Sequence, residues 1–141
     1  MMFAILKTNL ENSETRWVDA CKSLNVNYEI IDITAYDWLD KINMSRADYF
    51  LAQPMYVLSH YKQLFDERLY IIANILKKPV FPSYNEVILH ENKRMLAYWL
   101  KANNIPHPTT TIIYNKNEAL NFIKNTKYPI VAITAIGAAA A

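Results

Sequence analysis

Two cations, Arg68 and Lys93, stand where helical sequence could turn a positive charge to use on an anion. Arg68 falls inside the run Tyr61, Leu64, Phe65, Ile72, Ile75 and Leu76, whose apolar members recur every three or four residues. That spacing marks the buried stripe of a helix over residues 56–76. An arginine in such a stripe needs a partner, because stripping water from a guanidinium is expensive. Either a neighbouring carboxylate pairs with it, or it emerges at the strand ends and holds a substrate carboxylate or phosphate with its fork of donors. Lys93 belongs to a helix expected over residues 86–103, with Asn85 as its cap and Glu86 at its positive end. On that helix Ile88, Met95, Leu96, Trp99 and Ala102 share one face, while His90, Arg94 and Lys101 lie opposite. Lys93 sits on the flank beside Leu89 and Leu100. There its stem can cover apolar surface while the ammonium reaches the edge. A helix lysine taken alone is ordinarily a solvated surface residue.

A second group is neutral. Asn9, Gln53, Ser83, Tyr84 and Asn85 fall at the carboxyl ends of expected strands, where open parallel sheets bind their ligands. Loop capping and turn chemistry account for such residues; the functional alternative is a floor for an acceptor substrate. The first strand–helix loop, residues 8–13, has no glycine to let a pyrophosphate approach the backbone, so this is not a dinucleotide fingerprint. His60, His90 and His107 share no ligand spacing with one another or with Cys21, and no zinc site is indicated. No nucleophile elbow or recognisable Cys/His motif occurs.

The positioning elements follow from periodicity. Residues 3–7, 27–33, 48–53 and 80–81 read as strands, and residues 13–24, 37–43 and 56–76 as helices between them. Such alternation implies right-handed βαβ crossovers and a parallel sheet. Past the 86–103 helix, Asn103, Asn104, Pro106 and Pro108 make a stop. A β-branched strand is expected over 108–114, a helix over 117–125 with Ala119, Leu120 and Ile123 inward, and a last strand over 128–132. Glycine is scarce: the one instance is Gly137, so Asn25 and Asn103–Asn104 are expected to take left-handed positions after helices.

Asn92–Lys93 precede Pro106, the first proline of an Ile105–Pro106–His107–Pro108 turn, by fourteen and thirteen residues. This arrangement, with the strand and helix that follow it, resembles the entry into an ATP-grasp domain, the nucleotide-binding fold of carboxylate–amine ligases. The resemblance covers about the last 60 residues and, more loosely, the 80 before them. It implies an α/β fold: a Rossmann-like parallel-sheet pre-ATP-grasp domain (residues 1–84), then a linker helix and the beginning of an ATP-grasp domain (85–141). It implies an ATP-dependent carboxylate–amine ligase acting through an acylphosphate, with Lys93 on the phosphates and Gly137 opening the phosphate hairpin. The family's second cation is expected at position 133, which holds Ile133. Asn9, Gln53, Arg68 and Tyr84 are the substrate-side candidates. ATP and Mg²⁺ are the implied cofactors, with the metal ligands expected in a carboxyl-terminal half beyond residue 141. The fragment is not expected to be active alone, and the alanine-rich ending, residues 133–141, reads as an incomplete loop.

Composition narrows the class. The chain has 141 residues, net charge +2 and one cysteine, which fits a reducing compartment and gives no basic footprint for nucleic acid. No signal peptide or membrane-length apolar run is read, so a cytoplasmic protein is expected. Small-molecule carboxylate and amine substrates are the expected partners, and a homodimer is compatible with the sequence. A non-catalytic α/β interaction or dimerisation module is the rival reading.

Overall fold

The computed structural model describes residues 1–8, 15–52, 59–90 and 92–133. The chain divides into two compact units, with the division between Ile88 and Leu89.

The first unit is an α/β layer structure built on four parallel strands: β1 (Met2–Lys7), β2 (Asn27–Asp32), β3 (Tyr49–Ala52) and β4 (Val80–Phe81). Their order is β2-β1-β3-β4. Ile5 pairs with Ile30 on one side of β1 and with Leu51 on the other. A central parallel strand is covered on both faces, so it reads as an unbroken apolar run; Ala4, Ile5 and Leu6 are all buried. Side chains alternate between two cores. Ala4, Leu6, Ile31, Phe50 and Ala52 enter the larger one. Ile5 and Leu51 enter the smaller, where Trp17, Val18 and Cys21 of α1 (Thr15–Ser23) pack.

The larger core is covered by α2 (Trp38–Met44), α3 (Ser59–Tyr70) and α4 (Tyr84–Leu89), through Ile42, Phe65, Leu69 and Val87. A π-helical turn, Ile71–Ile75, continues α3 and adds Ile72 to that core. The connection from β1 to β2 runs one way along the sheet, while those from β2 to β3 and from β3 to β4 run the other. Such a reversal is a switch point, where the crevice beyond the carboxyl ends of the strands opens. It lies between β1 and β3, whose outgoing loops include residues 9–14 and 53–58, outside the described residues.

Scarce glycine is met with asparagine. Asn25 (φ 51°) and Asn104 (φ 54°) take the left-handed position after their helices. The next residue's N–H then reaches back to the helix, Val26 to the Cys21 carbonyl at 2.9 Å and Ile105 to the Leu100 carbonyl at 3.0 Å. Lys77 (φ 55°) does the same after the π-helical turn, and there the sequence offers no signal. A left-handed residue with a Cβ is strained by about 1–2 kcal/mol, and glycine's extra freedom in the unfolded chain offsets part of any relief. Lys77→Gly is therefore expected to raise the unfolding free energy by about 0.5–1 kcal/mol, measurable by urea denaturation.

The second unit contains α5 (Lys93–Ala102) and α6 (Lys116–Asn125). Three expectations are corrected here. The single helix over 86–103 is two helices, α4 and α5. Asn92 divides them, because its Oδ1 accepts the Met95 N–H at 3.1 Å and so starts a new helix. The strands expected at 108–114 and 128–132 have no ladder among the described residues. A β-branched run reports fitness for a pleated surface; it becomes a strand only beside a partner. The inward positions of α6 are open as well, with Leu120 48% and Ile123 46% exposed. On α5, Met95, Leu96 and Trp99 are similarly part-exposed. Among the described residues no helix is long and apolar enough to cross a membrane.

Candidate functional site

Arg68 projects from the flank of α3 that faces α2. Its Cζ lies 5.0 Å from the centroid of the Trp38 ring. Asp32, the last residue of β2, is the first charge to act on it, followed by Glu67; burial lowers the guanidinium pKa more than these two raise it. No ion pair closes between Arg68 and a described carboxylate, and the Nη1 atom is buried without a hydrogen-bond partner. Neither sequence alternative is met in full: the arginine has no carboxylate in its fork, and the one contact that places it is with the Trp38 ring of α2. Asp32 is itself fixed. Its Oδ1 accepts the Thr34 N–H at 2.8 Å and the Thr34 hydroxyl at 2.6 Å, the local turn by which an aspartate ends a strand.

Tyr84 lies on the other flank of α3. Its ring meets Tyr70 edge-on at 5.6 Å. Burial first, then the charge of Asp66 and the neighbouring Tyr70, push its pKa up. Positions 66 and 68 of one helix are about 200° apart at 100° per residue, so Arg68 and the Asp66–Tyr84 cluster are directed to different flanks. The helix cap after β4 also differs from expectation. Ser83, not Asn85, caps α4, in a reciprocal pair where the Ser83 N–H reaches Glu86 Oε2 at 2.7 Å and Ser83 Oγ accepts from Glu86 N at 3.4 Å. Those bonds hold the Glu86 carboxyl below its usual pKa.

Sequence reasoning missed Lys62. It is 2% exposed. Its ammonium lies 2.7 and 2.6 Å from the two carboxylate oxygens of Asp66, and 3.5 Å from the Val87 carbonyl of α4. The signal was available: Lys62 precedes Phe65, Leu69 and Ile72 at core spacing, with an aspartate four residues on. Burial raises the Asp66 pKa despite the lysine's pull.

In the second unit, Lys93 is the first residue of α5 rather than a flank residue of a longer helix, and it is half-buried. The first turn of a helix presents unpaired N–H groups and positive potential. Arg94 lies over Tyr114, with its Cζ 5.8 Å from the ring. The hydrogen bond to Tyr114 raises the Tyr98 pKa. His107 Nδ1 donates to the Ile105 carbonyl at 2.7 Å and steadies the proline turn. Ile133 is exposed and carries no charge for a phosphate. Asn9, Gln53 and Gly137 lie outside the described residues. Among the described residues no three His, Cys, Asp or Glu side chains gather as a metal site.

No protein-family model matches the chain. A stretch of 53 residues is 38% identical to the alpha-aminoadipate–LysW ligase LysX of Saccharolobus solfataricus, an ATP-grasp ligase. The match takes in 38% of this chain and 19% of that protein. With the parallel α/β sheet, this is a limited similarity to ATP-grasp ligases.

Proposed function

We propose that this chain is part of an ATP-dependent ligase of ATP-grasp type that joins a small-molecule carboxylate to an amine. The similarity to a ligase over 53 residues carries the reading. The Rossmann-like sheet is consistent with it, as is the placement of Lys93 on the first turn of α5. An ammonium beside a helix N-terminus suits phosphate twice over, through its own charge and through the free N–H groups. In this reading Lys93 would hold ATP phosphates, and bound ATP with Mg²⁺ would supply the phosphoryl group that activates the carboxylate. Arg68 would hold the substrate side. Ile133 cannot share the phosphate charge, so Lys93 is the cation on which nucleotide affinity from this segment rests.

The test is equilibrium binding of ATP and Mg²⁺ to the full-length protein. Lys93→Ala is expected to weaken binding about tenfold or more, the order of one lost charge-assisted contact of 1.5–3 kcal/mol. Thermal unfolding should move little, since removing a cation from a helix N-terminus relieves about 0.3–1 kcal/mol of unfavourable dipole interaction. Equal ATP affinity in the two proteins would remove Lys93 from the site. No ATP binding by the wild-type protein would end the ligase reading.

A further inference from the structure

We infer that the break between α4 and α5 is a two-state joint: residues 84–102 also form one continuous helix, and the broken state is the one in which Lys93 opens α5. Nothing in the sequence forbids the unbroken form. Residues 84–102 include no proline and no glycine, the residues that oppose a helix interior most strongly. Apolar positions keep one phase across the gap, with Ile88 on the near side and Met95, Leu96, Trp99 and Ala102 on the far side. A sequence that suits one helix and yet divides is divided by local bonds.

Those bonds lie on both sides of the gap. On the near side, Lys62 of α3 brings its ammonium to 3.5 Å from the Val87 carbonyl. In an unbroken helix that carbonyl would receive the N–H four residues on. On the far side, Asn92 has left the helical region, with φ −114° and ψ 76°. Its Oδ1 accepts the Met95 N–H at 3.1 Å. Its carbonyl accepts the Leu96 N–H at 2.9 Å, and its own N–H turns back to the Leu89 carbonyl at 3.2 Å. In an unbroken helix the Leu89 carbonyl would take the Lys93 N–H instead. Between the two helices His90 is in a turn, and Glu91 lies outside the described residues. One asparagine cap and one long side-chain contact are thus set against the backbone bonds that continuity would add, a balance that a single cap decides.

The choice has a consequence for Lys93. In the broken state it sits in the first turn of a helix, where the dipole adds to its charge; in the unbroken state it lies mid-helix and that potential is gone. An anion held by Lys93 therefore selects the broken state, and by reciprocity the break raises affinity for the anion. This coupling rests on the ligase reading, which supplies the anion; the joint itself does not.

The experiment is amide hydrogen exchange, read by NMR on the full-length protein, comparing wild type with Asn92→Leu and Asn92→Asp. Leucine removes the cap and favours helix. It is expected to slow exchange about threefold or more at the Lys93 and Arg94 amides, which an unbroken helix bonds to the carbonyls of residues 89 and 90. Asn92→Asp keeps an accepting oxygen in the same place and is expected to exchange as wild type does. Faster exchange over residues 93–96 in Asn92→Leu overturns the proposal, because α5 then merely frays without its cap; unchanged exchange overturns it as well. ATP with Mg²⁺ is titrated into the same samples. Asn92→Leu is expected to bind it about threefold or more weakly, with bound ATP returning exchange to the wild-type rate. Slower exchange with ATP affinity equal to wild type overturns the coupling to Lys93. Failure of all three proteins to bind ATP defeats the ligase reading and leaves the exchange result to decide the joint.

Discussion

Replacing Lys62 with methionine is expected to lower the unfolding free energy by about 3 kcal/mol at neutral pH, the low end of what breaking a buried ion pair costs. Methionine fills much the same volume as the lysine stem, so the loss arises from the charge. It strands the Asp66 carboxylate, whose side chain is 18% exposed and so keeps a little water. The Val87 carbonyl also loses the ammonium 3.5 Å away. The double replacement Lys62→Met with Asp66→Leu is expected to recover most of the stability, because an apolar pair of similar volume avoids the desolvation of both ions. Chemical denaturation of the wild type, the two single variants and the double variant forms a cycle. A Lys62→Met variant as stable as wild type would show that the pair is not a buried partnership.

The same variant has a pH signature whose sign follows from Asp66. Its pKa is raised in the folded protein, first by burial, with Lys62 pulling the other way. A carboxyl raised on folding contributes stability that is fully present below its unfolded pKa of 3.8 and is lost as pH rises through the folded value. Removing Lys62 takes away the pull and lifts the folded pKa further, so the loss extends to higher pH. The difference between wild type and Lys62→Met should therefore be small near pH 4 and grow toward pH 7. A difference that is constant with pH would mean that Lys62 acts through packing alone.

Why Lys62 escaped the sequence reading is a matter of helical phase. The spacing of Tyr61, Leu64, Phe65, Ile72, Ile75 and Leu76 suggests a stripe with Arg68 in its middle. The buried positions are Lys62, Phe65, Leu69 and Ile72, a shift of one residue at the start that moves one cation into the core and the other to its rim. Strands were easier to read. In β1 and β3 both faces are covered, so each apolar run admits one interpretation. The left-handed positions of Asn25 and Asn104 were legible because few residues other than glycine tolerate them; Lys77 was not, because nothing in a lysine announces φ of 55°. The break at Asn92 was hidden by apolar periodicity that continues through it, whereas a cap is a local hydrogen bond that period analysis cannot register. At the site, Arg68 was recognisable from its place among apolar neighbours. Its Trp38 stack depends on how α2 packs against α3, and no spacing within one helix carries that information.

A pair of core truncations should separate the two units by an even larger margin. Phe65 and Ile123 are both apolar residues at inward helical spacing, one on α3 and one on α6. Phe65 is fully buried in the larger core of the first unit, among residues from β1, β2 and β3. Phe65→Ala is expected to cost about 3–5 kcal/mol, through lost transfer energy and the cavity that close-packed strands cannot collapse into. Ile123 is 46% exposed, so truncation removes atoms already half in water and opens no closed cavity. Its cost should stay below about 1 kcal/mol, within reach of the transfer term alone. Urea unfolding of the two variants measures both. If Ile123→Ala proved as damaging as Phe65→Ala, α6 would have to be covered in solution by surface not accounted for by the described residues. In that case its apolar face, and not only the sheet of the first unit, would be core.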